Sequence, residues 1–342
     1  MATKTIVITL IASLALTAAA CGSPSRSPAQ ATPAATPAAA AHATASAPAA
    51  PPAATGPVQA MRVPALALPV ALDAESAVAI GNRVYVIGGI VPDGSTTADM
   101  WTADFAAGGP WHKLGSLPQP THDAAAAILG GAIDVFGGGV SASVDTAWQI
   151  NPATGAATAL PKLPRPLSDA GIGVVGSTAY IVGGFDATNF RTEILSWRPG
   201  ETTYQVAGHL PAGLRYAAVA ASDGQLLIFG GVTVNGVSNA ILRFDPASGS
   251  VTRLGSMPVA AEYMSAAPAP RNGAIWVMGG FTHNGPLADI WSWTAGATSL
   301  TRLAALPASQ YYGAAVAIGS SVYVLGGKAP DGNHTTDAIR VR

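Results

Sequence analysis

Six pairs of adjacent residues hold most of the chemistry this 342-residue chain could do. They are Asp73-Ala74, His122-Asp123, Ser168-Asp169, Arg215-Tyr216, Glu262-Tyr263 and Tyr311-Tyr312. Each pair stands four and five residues after a Leu-Pro or Met-Pro marker, at Pro69, Pro118, Pro164, Pro211, Pro258 and Pro307. Charged residues make up only 10% of the chain, against about 25% in an ordinary soluble protein. Even so, five of the six pairs place an acid, an arginine or a histidine here, and three in succession place tyrosine. If the pairs converge, carboxylates beside tyrosines suit a sugar or a polyol, or a cation held over aromatic faces. The same residues would equally serve as a hydrated rim that closes a channel.

Other chemistry finds less support. Asp73, Asp123, Asp169 and Glu262 could offer oxygens to calcium, but they fall in different repeats, too far apart to share one ion. Ser168, His122 and Asp123 are the residue types of a nucleophilic triad, yet residues this common make no triad without geometry. No phosphate-binding glycine loop and no nucleotide fingerprint stands in a supporting context. The reading is therefore no metal, no cofactor and no assigned catalytic residue.

The pairs are placed by a repeat. Glycine pairs begin at Gly88, Gly137, Gly183, Gly230, Gly279 and Gly326, spaced by 49, 46, 47, 49 and 47 residues. Each ends an apolar run: VYVIGG, IDVFGG, AYIVGG, LLIFGG, IWVMGG and VYVLGG. The marker proline precedes the first glycine by 19 residues in five units and by 21 in the fifth. Each unit reads as four strands. An AVAIG-like strand A precedes the VYVIGG-like strand B. Strand C carries tryptophan or an apolar substitute, and strand D ends at the marker. NPATG and DPASG supply turns between C and D. Six alike four-stranded units predict an all-β, six-bladed β-propeller over residues 58–342, with antiparallel blades.

The last unit lacks strand D, and QAMRVPALALP (Gln59 to Pro69) parallels TSLTRLAALP near the end of the fifth. The segment Val58 to Pro69 is therefore expected to supply the outer strand of the C-terminal blade, which removes an open edge. The D–A and B–C connections then share one face, so the six pairs sit at its centre. Phe190, Arg191, His283 and His334, in the B–C loops, are the expected walls. Trp101, Trp148, Trp197, Trp276, Trp291 and Trp293 fall on strands B and C, where packing between blades has first claim on them.

Glycine-paired strands followed by a strand with an aromatic resemble kelch repeats, and the resemblance covers about Val58 to Arg342. It implies the propeller fold but no single function, because kelch propellers include enzymes and binding platforms. Kelch-like copper-radical oxidases need a cysteine–tyrosine crosslink, and the single cysteine, Cys21, lies outside the repeats. Six-bladed periplasmic kelch proteins that epimerise sialic acid match in blade count and export. By that resemblance Glu262 and His122 would be the acid–base groups and Arg215 the carboxylate holder. Kelch repeats usually carry arginine three residues after the marker; here stand Leu72, Thr121, Leu167, Leu214, Ala261 and Gln310.

The N-terminus reads as a processing segment. Residues 1–20 have Lys4, an apolar stretch and small residues, a signal-peptide pattern. Cys21 follows at once, which resembles the lipid-attachment cysteine of bacterial lipoproteins. Residues to 57 are nearly all Ala, Pro, Ser and Thr, the composition of a disordered tether. The expected location is thus outside the cytoplasm, on the outer membrane or cell surface, held by lipid on Cys21. With a net charge of -1 and no basic tract, nucleic acid is not an expected partner. The sequence favours a monomeric binding or scaffold protein for a glycan, a small molecule, a peptide or another envelope protein. The competing reading is the sugar-modifying enzyme.

Overall fold

The computed structural model describes residues 56–270 and 272–342. The signal segment, Cys21 and the tether up to residue 55 lie outside the described residues. Six four-stranded antiparallel sheets follow one another along the chain. Blade 1 is Ser76–Ile80, Arg83–Ile87, Asp99–Asp104 and His112–Ser116. Blade 2 is Ala125–Leu129, Ala132–Phe136, Ala147–Ile150 and Ala157–Ala159. Blade 3 is Gly171–Val175, Thr178–Val182, Glu193–Trp197 and Gln205–His209.

Blade 4 is Ala218–Ser222, Gln225–Phe229, Ala240–Asp245 and Ser250–Ser256. Blade 5 is Ser265–Pro268, Ile275–Met278, Asp289–Trp293 and Thr301–Ala305. Blades 4 and 5 each add a short hairpin in the B–C loop. Blade 6 takes Ala314–Ile318, Ser321–Leu325 and Ala338–Val341 from the C-terminus and Ala60–Arg62 from the other end. Ala60 pairs with Val341 and Arg62 with Ile339, so the N-terminal strand closes the ring as the repeat count predicts.

Strand B is buried on both faces because blades stack against each side of it. Val84, Val86, Ile133, Leu226, Ile228 and Val277 are among the residues with essentially no exposure. Strand A lies where blades converge, and small side chains fill it. A methyl group on Gly171 would come within 2.3 Å of Val219 in the next blade. The tryptophans pack as their positions predict. Trp197 and Trp276 are fully buried, and Trp101, Trp148 and Trp291 lean on inter-blade clusters. Trp197 also donates from Nε1 to the buried Asp134 of blade 2 at 3.1 Å.

The glycine pair is the joint between blades. The N–H of its second glycine donates to the carbonyl three residues past the marker proline of the next blade. Gly89 reaches Thr121, Gly138 Leu167, Gly184 Leu214, Gly231 Ala261 and Gly280 Gln310; Gly327 reaches Leu72 and closes the circle. The first glycine of the pair makes room for that carbonyl. At Gly137 (φ 63°) a Cβ would sit 2.0 Å from the Leu167 oxygen, a distance no side chain tolerates.

Candidate functional site

The second member of each predicted pair stands at the propeller axis. Asp123 N–H donates to the Ala74 carbonyl, Asp169 to Asp123, Tyr216 to Asp169, Tyr263 to Tyr216, Tyr312 to Tyr263 and Ala74 to Tyr312, at 2.9–3.3 Å. These six hydrogen bonds form a closed circle, one residue from each blade. All six residues have positive φ, from 53° to 66°. That conformation is uncommon outside glycine, asparagine and aspartate. It turns the chain from the D–A connection into strand A while the N–H and C=O point along the circle. Such backbone is held where surrounding structure over-determines it, and it collects at ligand sites.

The first members form a second shell. Each bridges the residue just after its own blade's glycine pair: Asp73 to Ile90, His122 to Gly139, Ser168 to Phe185, Arg215 to Val232, Glu262 to Phe281 and Tyr311 to Lys328. The D–A and B–C connections therefore do share one face. Counting from the glycine pairs would have found Phe185 and Lys328, which reasoning from the marker prolines missed.

The circle is chemically lopsided. Tyr216, Tyr263 and Tyr312 lean on one another with ring centroids 4.3 Å apart for each successive pair, and so fill the blade 4–6 side. On the other side a cleft of about 220 Å³ opens between blades 2 and 4. His122, Asp123, Ser143, Ser168, Phe185 and Arg215 line it. Glu262 does not line the cleft, although the charge of Arg215 reaches it.

Arg215 is fixed before any ligand arrives. It pairs with Asp169 at 2.8 Å and touches the Tyr216 hydroxyl. Its guanidinium lies 4.7 Å from the Phe185 ring centre, 5.5 Å from Phe190 and 4.0 Å from Tyr216. Flat aromatic contacts and a carboxylate hold a guanidinium plane more firmly than an ammonium.

Asp123 and Asp169 are hydrogen-bonded to each other. Burial pushes the Asp123 carboxyl well above the usual carboxylate range, and the Asp169 charge pushes it further. Burial also raises Asp169, but Arg215, the Asp123 proton and the Ser168 hydroxyl oppose this. Of the two carboxyls, Asp123 is held the higher, so it is the member of the pair that keeps a proton longer as pH rises. Burial lowers His122, although Asp169 and Asp73 oppose the shift, so its imidazole is neutral at pH 7. Its Nδ1 lies 2.8 Å from the Thr96 hydroxyl, and its Nε2 lies 3.7 Å from Asp123. If Nδ1–H donates to Thr96, Nε2 is left as the acceptor. Burial and Asp169 push the Tyr216 phenol up to about 12, and burial raises Tyr263 and Tyr312 further. All three remain hydroxyl donors.

The expected walls divide. Phe190 packs over Phe185 at 5.8 Å and helps cover Arg215. Arg191 pairs with Asp186 at 3.0 Å and Glu193 at 2.6 Å and holds its own loop. His283 is exposed at the tip of the blade 5 hairpin. His334 turns inward to Asp73, 3.3 Å away, beside Lys328 at 2.9 Å. Tyr311 packs on Phe281 at 4.9 Å. Among the described residues, no group of three or more His, Cys, Asp or Glu could hold a metal ion.

Comparison with known proteins agrees with the repeat. The Kelch motif model matches residues 213–258. Kelch-like protein 25 of Xenopus tropicalis is 27% identical over 206 residues, 57% of this chain and 35% of that protein. Kelch-like protein 35 of Mus musculus is 26% identical over 144 residues, 41% of this chain and 24% of that protein. The chain thus spans about a third or less of these relatives. Among solved structures, that titled "Structure of YjhT" superposes with a TM-score of 0.71 at 18% identity, over 81% of this chain and 99% of that one. At that identity the likeness concerns the fold. Repeat, blades and matches converge on one assignment: this chain is a six-bladed β-propeller of kelch type.

Proposed function

We propose that the loop face is the active site of a sugar-modifying enzyme that interconverts anomers of a carboxylated sugar. This takes the alternative reading of the sequence over the binding or scaffold protein. The observation that carries it is the combination, in one cleft, of a buried Asp123 whose carboxyl is pushed well above the usual range, a His122 imidazole 3.7 Å from it and an Arg215 immobilised by Asp169. A scaffold surface has no use for a buried acid and a free base 3.7 Å apart. The cleft also has room for one small polar molecule rather than for a peptide strand.

Arg215 would hold the substrate carboxylate through the guanidinium edge that Asp169 leaves free. His122 Nε2 would accept the anomeric hydroxyl proton as the bond from the anomeric carbon to the ring oxygen breaks. Asp123 would give its proton to that ring oxygen. The open chain then carries a carbonyl, and the site holds an imidazolium and an ionised Asp123. Rotation and reclosure return both protons by the reverse steps, so nothing is consumed. Ser143 and Ser168, whose hydroxyls are 2.9 Å apart, offer contacts to sugar hydroxyls. The resemblance to kelch-type sialic acid epimerases, together with the predicted export and lipid attachment at Cys21, suggests sialic acids of the cell exterior as the first substrates to try.

The test is two-dimensional exchange NMR on reducing sugars with and without a carboxylate. Accelerated anomer exchange for carboxylated sugars alone is expected, lost in Asp123→Asn and in His122→Gln. Binding without acceleration of any sugar would return the protein to the binding-module class.

A further inference from the structure

Beneath the circle, the axial channel holds a chamber of about 130 Å³, partly separate from the cleft. Glu75, Asp123, Asp169, Tyr216, Tyr263 and Tyr312 line it, with small or apolar residues between them and no lysine, arginine or histidine. Glu75 is the anomaly. The residue after the pair is Ala124, Ala170, Ala217, Met264 and Gly313 in the other blades. Glu75 is 8% exposed; among the described residues no side chain pairs with its carboxyl, which only the main-chain N–H groups of Glu75 itself and Ala314 approach, outside good hydrogen-bond geometry. A buried acid without a counter-ion costs stability, and the alanine, methionine or glycine of the other blades would avoid that cost.

Charge around the axis does not balance. Four carboxyls face it or back it: Asp73, Glu75, Asp123 and Asp169. Lys328 pairs with Asp73 at 2.9 Å and Arg215 with Asp169 at 2.8 Å. His334 backs Asp73, and His122 is neutral at pH 7. Among the described residues Glu75 has no ion-pair partner, and the only cation whose charge Asp123 feels is Arg215, which is already paired with Asp169. The geometry for a metal ion is absent among the described residues.

We propose that the axial chamber binds a primary ammonium group, held between Glu75 and Asp123. An ammonium has three donors and no acceptor. That matches two carboxylates and a tyrosine oxygen, and the three tyrosines add aromatic neighbours of the kind that favour organic cations. Burial pushes the Glu75 carboxyl well above the usual range, against the main-chain N–H groups of Glu75 and Ala314 and with Asp73 and Asp123 adding to the rise. Amine binding therefore displaces protons, and affinity must rise with pH. The site shares Asp123 with the cleft, but Glu75 lines the chamber and not the cleft, so variants at Glu75 test the amine site apart from any action on sugars.

The probe is methylammonium chloride, with sodium chloride at equal ionic strength as the control. The full chain is titrated calorimetrically near pH 8 and near pH 5, in buffers of different ionisation enthalpy. Saturable binding with proton release near pH 8, weaker by about tenfold or more near pH 5, is expected because the carboxyls must ionise. Glu75→Ala restores the residue found in three other blades and should fold. It should abolish binding while thermal unfolding stays cooperative; Glu75→Gln, of equal size, should do the same. No binding beyond sodium, or binding kept in both variants, would overturn the proposal. Sugar exchange is measured without amine, so either idea can fail alone.

Discussion

Replacing Gly137 and Gly130 with alanine, each alone, separates two reasons for a glycine. Their backbones are nearly the same, φ 63° and 57°. Nothing lies within 4 Å of a Cβ at Gly130, in a hairpin tip. At Gly137 a Cβ meets the Leu167 oxygen at 2.0 Å, its carbon at 3.1 Å and Leu163 Cδ1 at 3.2 Å. Alanine at Gly130 should cost only the left-handed backbone, about 1 kcal/mol. At Gly137 the carbonyl must also retreat by more than a bond length. That breaks the 2.8 Å bond from Gly138 to Leu167, a buried loss of about 1–3 kcal/mol. Overpacking of the joint adds about 1–3 kcal/mol. The totals are about 3–7 kcal/mol for Gly137 and about 1 kcal/mol for Gly130. Urea unfolding followed by tryptophan fluorescence reads both. Equal losses would refute the reasoning, because the pair would then matter for its turn and not for the spacing of blades.

The remaining expectations use other parts of the molecule. Asp123→Asn should stabilise the fold near pH 8 and leave it unchanged near pH 4 in thermal melts. The folded acid titrates above the unfolded one, so wild-type stability is whole at low pH and falls as pH rises through the folded value. Arg191→Met should cost about 1 kcal/mol, since the ion pairs are partly solvated. The loss should fade in melts as pH falls from 4.5 toward 2, because Arg191, despite burial, holds Glu193 down to about 2. Deleting residues 58–69 removes the outer strand of blade 6 and should lower the melting temperature of the whole propeller in calorimetry rather than release one blade.

The architecture was readable because it is written six times. A marker proline and a glycine pair at fixed spacing give register, face and closure. The register also located the axial residues Asp123, Asp169, Tyr216, Tyr263 and Tyr312, since equivalent positions in a ring must converge. What the spacing could not tell was which way each side chain points. His334 and Arg191 occupy similar loops to Phe190, yet both turn to local acids while Phe190 covers Arg215. Glu262 looked like the natural acid beside Arg215, but Asp123 lines the cleft, through a pairing with Asp169 that spans two blades. Glu75 escaped notice because it stands one residue past the counted pair, where its burial is visible only when blades 6 and 1 meet.

The central claim is that Asp123 keeps its proton at neutral pH while Asp169, under Arg215, does not. Titrating the side-chain carboxyl carbons of 13C-aspartate-labelled protein by NMR measures this directly. One aspartate signal at the position of a protonated carboxyl at pH 7, absent from Asp123→Asn, is the predicted result. Ionisation of every aspartate by pH 5 would contradict it, and the acid in the proposed reaction would be gone.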